Sequence, residues 1–236
     1  GHAKSDVVFH NGHISKAVPE AIVRGIQWQI HDEKADAEEI AQLLEHAERV
    51  RIEEERAKQA AAEAFAAGVA RLKADPTLSH LTQGDDVYSG LLAAKNMRAA
   101  LRVAFPRVKF SVRKSHYGSV TISWTDGPTE KEVEAVVGRH KGGYFDGMED
   151  IYKHEATPFV VVFGGAEYVS TYRQHSEQLI GRAIDRVFDE YAGNLQEIKK
   201  PAAAEFKGGQ LFYVEVPYLN QSLQQLINVQ VYSLQG

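Results

Sequence analysis

From Asp36 to Ala74 the chain contains no proline and one glycine, Gly68, while alanine, glutamate, leucine and arginine dominate. Those residue types lose least on entering a helix. The pattern predicts a long helix over residues 35–75, stopped by Asp75-Pro76. At 1.5 Å per residue it would reach roughly 60 Å, longer than a compact domain is wide. Ile40, Leu43, Leu44, Ala47 and Val50 form an apolar stripe, Glu53-Glu54-Glu55-Arg56 interrupts it, and Ala57, Ala61, Ala64 and Phe65 resume it. The stripe is too broken for a sustained heptad repeat. Two readings stay open: the helix bends or breaks near Glu53, or it projects and pairs with a second copy through residues 36–74. A solvated helix packed at both ends is the plainer alternative.

The period then changes. Tyr88 to Ala104 predicts a second helix, with Ala94, Met97, Leu101 and Phe105 on its apolar side. Val108, Phe110 and Val112 next alternate with Lys109, Ser111 and Arg113, and Val120, Ile122 and Trp124 alternate with Ser119, Thr121 and Ser123. A period of two with one apolar face is a β-hairpin. Thr125-Asp126-Gly127-Pro128 is a turn, and Thr129 with Glu132 is a capping box opening a short helix. A strand at 158–163, a Gly164-Gly165 turn, a partner strand at 167–173 and a helix from His175 or Ser176 to Tyr191 are expected next. The tail reads as strand Leu211–Val216, short helix Ser222–Ile227 and strand Val229–Tyr232.

The expected fold class is therefore α+β. A long N-terminal helical region precedes a helix-hairpin-helix-hairpin-helix α+β domain and a short β-rich tail. The divisions are an irregular 1–34 with a short helix opened by Pro19, the long helix 35–75, the α+β domain 85–193, and a linker with β-rich segment 194–236. Gly1-His2 is expected to be a tag remnant.

Charge is distributed unevenly. Residues 32–55 carry ten acids against three bases, whereas residues 87–125 carry seven bases and no acid. The basic positions singled out are Lys95, Arg98 and Arg102, at helical spacing, with Lys109, Arg113 and Lys114 on the hairpin. Such a surface suits nucleic-acid phosphates or another anionic partner. The bland alternative is that it faces the acidic stretch of the same chain. Tyr168 and Tyr172 share one face of their strand, where aromatics could stack unpaired bases, and Trp124 alternates with valine and isoleucine as core.

Other chemistry finds little support. The chain has no cysteine, so neither a disulfide framework nor a thiolate metal site is available. Gly-x-Ser-x-Gly, phosphate-loop and dinucleotide patterns are missing. Asp146, Glu149, Asp150, His154 and Glu155 are ligand types without a ligand spacing, and His10-Asn11-Gly12-His13 is no better. No metal or cofactor is expected. No apolar run is long enough for a bilayer and no secretory signal opens the chain, so a cytoplasmic protein without membrane contact is expected.

Residues from Lys95 to about His175 carry a family likeness. Lys-Asn-Met-Arg, Ala-Phe-Pro-Arg-Val-Lys-Phe-Ser-Val-Arg, Ser-Val-Thr-Ile-Ser-Trp-Thr-Asp-Gly-Pro-Thr, Phe-Asp-Gly-Met and Ala-Glu-Tyr-Val follow in that order. The segment resembles the large polyvalent protein-associated domain family, number 29 of its series. Its matching motif positions are Trp124, Asp126, Gly127, Pro128, Phe145, Asp146, Gly147 and Met148. The resemblance implies a protein of a plasmid, integrative element or phage, and supplies no catalytic residues. It leaves three functional expectations. The first is a non-enzymatic accessory protein binding nucleic acid or a nucleic-acid-handling complex. The second is an anti-defence inhibitor or adaptor bound to a host protein. The third is a cryptic metal-dependent hydrolase using the Asp146–Glu155 carboxylates.

Overall fold

The computed structural model describes residues 3–148, 150–154 and 156–236. Contacts divide the chain into two compact units, Gly1–Ala67 and Gly68–Gly236. The fold is α+β, with helices α1–α8 and strands β1–β9.

The first unit opens with β1 (Lys4–Val8) and β2 (Ile14–Pro19), an antiparallel pair with a bulge between Ser5 and Val7. This corrects the expectation of an irregular start. The signal was Asn11-Gly12, a strong hairpin dipeptide. Gly12 has φ +89°, and a Cβ there would lie 2.5 Å from Val50, so only glycine lets the turn sit this close. The helix expected after Pro19 shrinks to α1 (Glu20–Val23).

Helix α2 (Ala37–Ala74) begins at Asp36, whose carboxylate accepts from the Glu38 and Glu39 backbone N–H groups at 2.9 and 2.8 Å. It is unbroken through Glu53–Arg56, where a break was one of the readings. Its charges pair locally, Arg49 with Glu45 at 3.0 Å and Arg51 with Glu48 at 2.6 Å. Ala47 is buried, while Ile40 and Leu44 are about half exposed.

In the second unit, α3 (Leu91–Ala104) is followed by β3 (Ser111–His116), β4 (Ser119–Thr125) and α4 (Glu130–Val137). Both arms of the expected capping box are made, Thr129 taking the Glu132 N–H and Glu132 the Thr129 N–H. Next come β5 (Gly143–Asp146), β6 (Ile151–His154), α5 (Pro158–Phe163) and β7 (Tyr168–Gln174). Strands β3, β4 and β7 form one sheet in that order, β3 antiparallel and β7 parallel to β4.

Two strand expectations are thereby overturned. Residues 158–163 are helix: Thr157 caps it, Pro158 occupies its first turn, and Phe159, Val160, Val162 and Phe163 are all buried. A short run buried on every side has no period to separate helix from strand. Consequently β7 pairs with β4 across a long crossover rather than with 158–163 in a second hairpin.

The sheet buries Val112, Val120, Ile122 and Trp124 against Ala94, Met97 and Leu101 of α3 and Val133 and Val137 of α4. A further core joins α6 (Glu177–Glu190), α7 (Ala203–Lys207) and α8 (Leu223–Ser233). The tail is thus largely helical, not β-rich. Only the two-residue strands β8 (Glu215–Val216) and β9 (Gln221–Ser222) remain. Ser222 and Gln225 cap α8 reciprocally, and Leu223, Ile227 and Val231 recur at helical spacing on its buried side. That capping and packing override the strand preference of Val229 and Val231.

Candidate nucleic-acid interface

Helix α3 packs its apolar side on the sheet and turns Lys95, Arg98 and Arg102 along a common exposed face. The Arg98 guanidinium donates to the Val112 carbonyl of β3. Because β3 is an edge strand, this bond satisfies a carbonyl that no neighbouring strand reaches. Arg98 is therefore a tether between helix and sheet edge. Lys95 and Arg102 flank it.

The other face of the sheet is polar throughout. Register places Ser111, Ser123 and Tyr172 in one row and Arg113, Thr121 and Ser170 in the next. Tyr168 lies opposite Ser119, and Gln174 opposite Thr125. Tyr168 and Tyr172 are 51% and 58% exposed, and Arg113 is exposed on the opposite edge. Lys109, Ser111, Ser123, Thr125 and Gln174 line a shallow depression at one end of this face. Within the Gly68–Gly236 unit, Lys95, Arg102, Lys109 and Arg113 make no ion pair among the described residues. Lys114 points elsewhere, 5.8 Å over the Tyr117 ring.

The motif at 124–128 has a different job. The Trp124 indole donates to the Pro128 carbonyl at 2.9 Å, closing the turn in which Asp126 and Gly127 have φ +55° and +62°. Facing Trp124 in the register is Arg173, only 7% exposed. Its guanidinium donates to the carbonyls of Asp126 (3.2 Å), Gly127 (3.0 Å), Val231 (3.3 Å) and Leu234 (2.7 Å). Burial pulls its pKa down, while the charges of Asp126, Glu130 and Glu132 oppose that. The Asp126 carboxylate accepts from the Ser176 N–H at the start of α6, at 2.8 Å. Gly236 N–H reaches the Gly127 carbonyl at 2.9 Å. The motif is thus where the final residues dock.

The second motif stretch puts the backbone of Phe145 and Asp146 in β5 and leaves Gly147 and Met148 exposed in a turn. Glu149 and Glu155, which completed the candidate carboxylate cluster, lie outside the described residues. Among the described residues no group of three or more His, Cys, Asp or Glu is placed to hold a metal, and no helix is long and apolar enough to cross a membrane.

The half-buried Asp86 and the buried Asn96 and His140 carry no signal in the sequence pattern. Asp86 accepts from Ser89, Leu91 and Leu92 backbone N–H groups at 2.9–3.1 Å and anchors the start of α3. Burial would raise its pKa, but these bonds together lower it. Asn96 joins α3 to Thr82 and to the Phe163 carbonyl, the latter at 2.7 Å. His140 is fully buried, its Nδ1 2.9 Å from the Gly164 carbonyl and its Nε2 without a partner among the described residues. Burial drives its pKa down to about 4 against that hydrogen bond, with Arg139 adding to the fall. For the buried Arg173 a sequence signal was available: strand alternation puts it on the face opposite Tyr172, where an arginine is out of place.

With this geometry the family comparison becomes specific. Residues 88–176 match large polyvalent protein associated domain 29. Residues 1–76 match large polyvalent protein associated domain 30. Both matches are to large polyvalent protein associated domains, on separate parts of the chain. The domain 29 match runs from the approach to α3 through the sheet to the cap of α6, so it contains the whole three-stranded face and the Trp124–Arg173 turn. The domain 30 match covers the β1–β2 hairpin and α2, a likeness the sequence reading did not anticipate. No curated protein and no solved structure matches the chain.

Proposed function

We propose that the chain is an accessory protein of a mobile element or phage that acts by binding nucleic acid through its domain 29 segment. The carrying observation is the exposed face of β3–β4–β7. It has hydroxyls in every row and Arg113 and Lys109 along one edge, and no carboxylate stands at its strand positions. Phosphate binding needs that combination: cations for the charge and hydroxyl or amide donors for register. Lys95 and Arg102 extend the positive surface around the β3 edge, while Arg98 supports it by holding β3. The family context supports the mobile-element part of this reading, because the two matched domains are by description associated with large polyvalent proteins.

The test is oligonucleotide binding over a range of salt. Four cations predict a slope of log affinity on log salt of roughly −3. Charge reversal of Lys109 and Arg113 together should weaken binding and reduce that slope by about 1 to 2. No binding at low salt, or binding indifferent to these reversals, would overturn the proposal.

A further inference from the structure

The sheet face carries more than charge. Tyr168 and Tyr172 stand four residues apart on β7, on the polar side, both more than half exposed. Strand geometry separates them by roughly 13 Å. Consecutive bases in a stacked strand are about 3.4 Å apart, so the two rings cannot be neighbours in one stack. The exposed Tyr172 ring can receive a base that has left its neighbours. The cations lie on the far edge. Arg113 sits two strands from Ser170, in the row between the two tyrosines, roughly 10 Å across the sheet. Ser119, Thr121, Ser123 and Ser170 fill the ground between.

From this we infer that the face binds single-stranded nucleic acid, with a base laid on Tyr172 and the backbone held by Arg113 and Lys109. This rests on the reading of the domain 29 segment as a nucleic-acid binder. A duplex keeps its bases paired and stacked, so it would meet the cations and leave the ring unused. Stacking on an aromatic ring tolerates any base, and hydroxyls bond backbone oxygens without reading sequence. Little sequence preference is therefore expected.

The experiment uses the full chain and fluorescence anisotropy with a labelled mixed-sequence DNA of about ten to twelve nucleotides, alone or annealed to its complement. The single strand should bind more tightly. Tyr172→Ala should weaken single-strand binding about 5- to 100-fold, leave duplex binding alone and leave the salt slope unchanged. Tyr172→Phe should bind nearly as the parent does, because the ring and not the hydroxyl is used. The Tyr172 side chain is exposed, so circular dichroism should show both variants folded. Equal affinity for strand and duplex, with Tyr172→Ala unaffected, would overturn the single-strand inference while sparing the proposed function. Absence of salt-dependent binding to either form would overturn both.

Discussion

The Arg173 guanidinium donates to the Leu234 carbonyl at 2.7 Å, across 61 residues of sequence. A charge so deeply placed is usually matched by a carboxylate. Here four carbonyls serve instead, two from the Asp126-Gly127 turn and two from the end of α8. The guanidinium thus joins the Asp126-Gly127 turn to Leu234.

Arg173→Met should therefore destabilise the protein by about 3 kcal/mol or more, because it strands several buried carbonyls at once. Urea unfolding should show a lower midpoint. Removing residues 234–236 should cost less, since Asp126, Gly127 and Val231 still receive bonds.

His140 predicts a pH dependence. Its folded pKa is about 4, and an ordinary histidine lies near 6.5. The unfolded state thus binds the proton more readily. The stabilising effect is complete above about pH 6.5 and is lost as pH falls toward 4, by about 3 kcal/mol at the lower end. His175, also lowered, chiefly by burial, acts in the same direction. His140→Asn keeps a donor for Gly164 and should flatten the stability curve between pH 6.5 and 4. An unchanged slope in urea titrations across that range would count against this assignment.

Glycine substitutions should split in sign. A Cβ at Gly165 would lie 2.3 Å from the Val87 carbonyl and 2.5 Å from Val160. Gly165→Ala should cost about 1–3 kcal/mol through forced shifts. Gly181 lies inside α6 with nothing within 4 Å of an added Cβ. Gly181→Ala should raise stability by about 0.5–1 kcal/mol, read as a higher melting temperature.

The α4 cap is a local test. Thr129→Ala removes one arm of the capping box, and stability should fall by about 1 kcal/mol. Trp124→Phe takes away the indole donor to Pro128 and should compound that loss, because both residues belong to one turn.

What the sequence determined by itself was local. The long helix, α3, the β3–β4 hairpin, the Thr129 capping box and α6 depend on composition, period and caps, which neighbouring residues supply. The polar strand positions that make the candidate face were legible for the same reason, including Tyr168 and Tyr172 on one side of β7. Tertiary structure decided what those pieces meet. Whether 158–163 is helix depended on burial around most of its circumference. The parallel pairing of β7 with β4 joins strands that no short turn links, and it alone brings the tyrosines beside the basic hairpin. Among the basic residues, packing separated Arg98, used to hold β3, from Arg113, left exposed. Charge pattern cannot make that separation, because a guanidinium's role depends on which carbonyl or solvent it reaches.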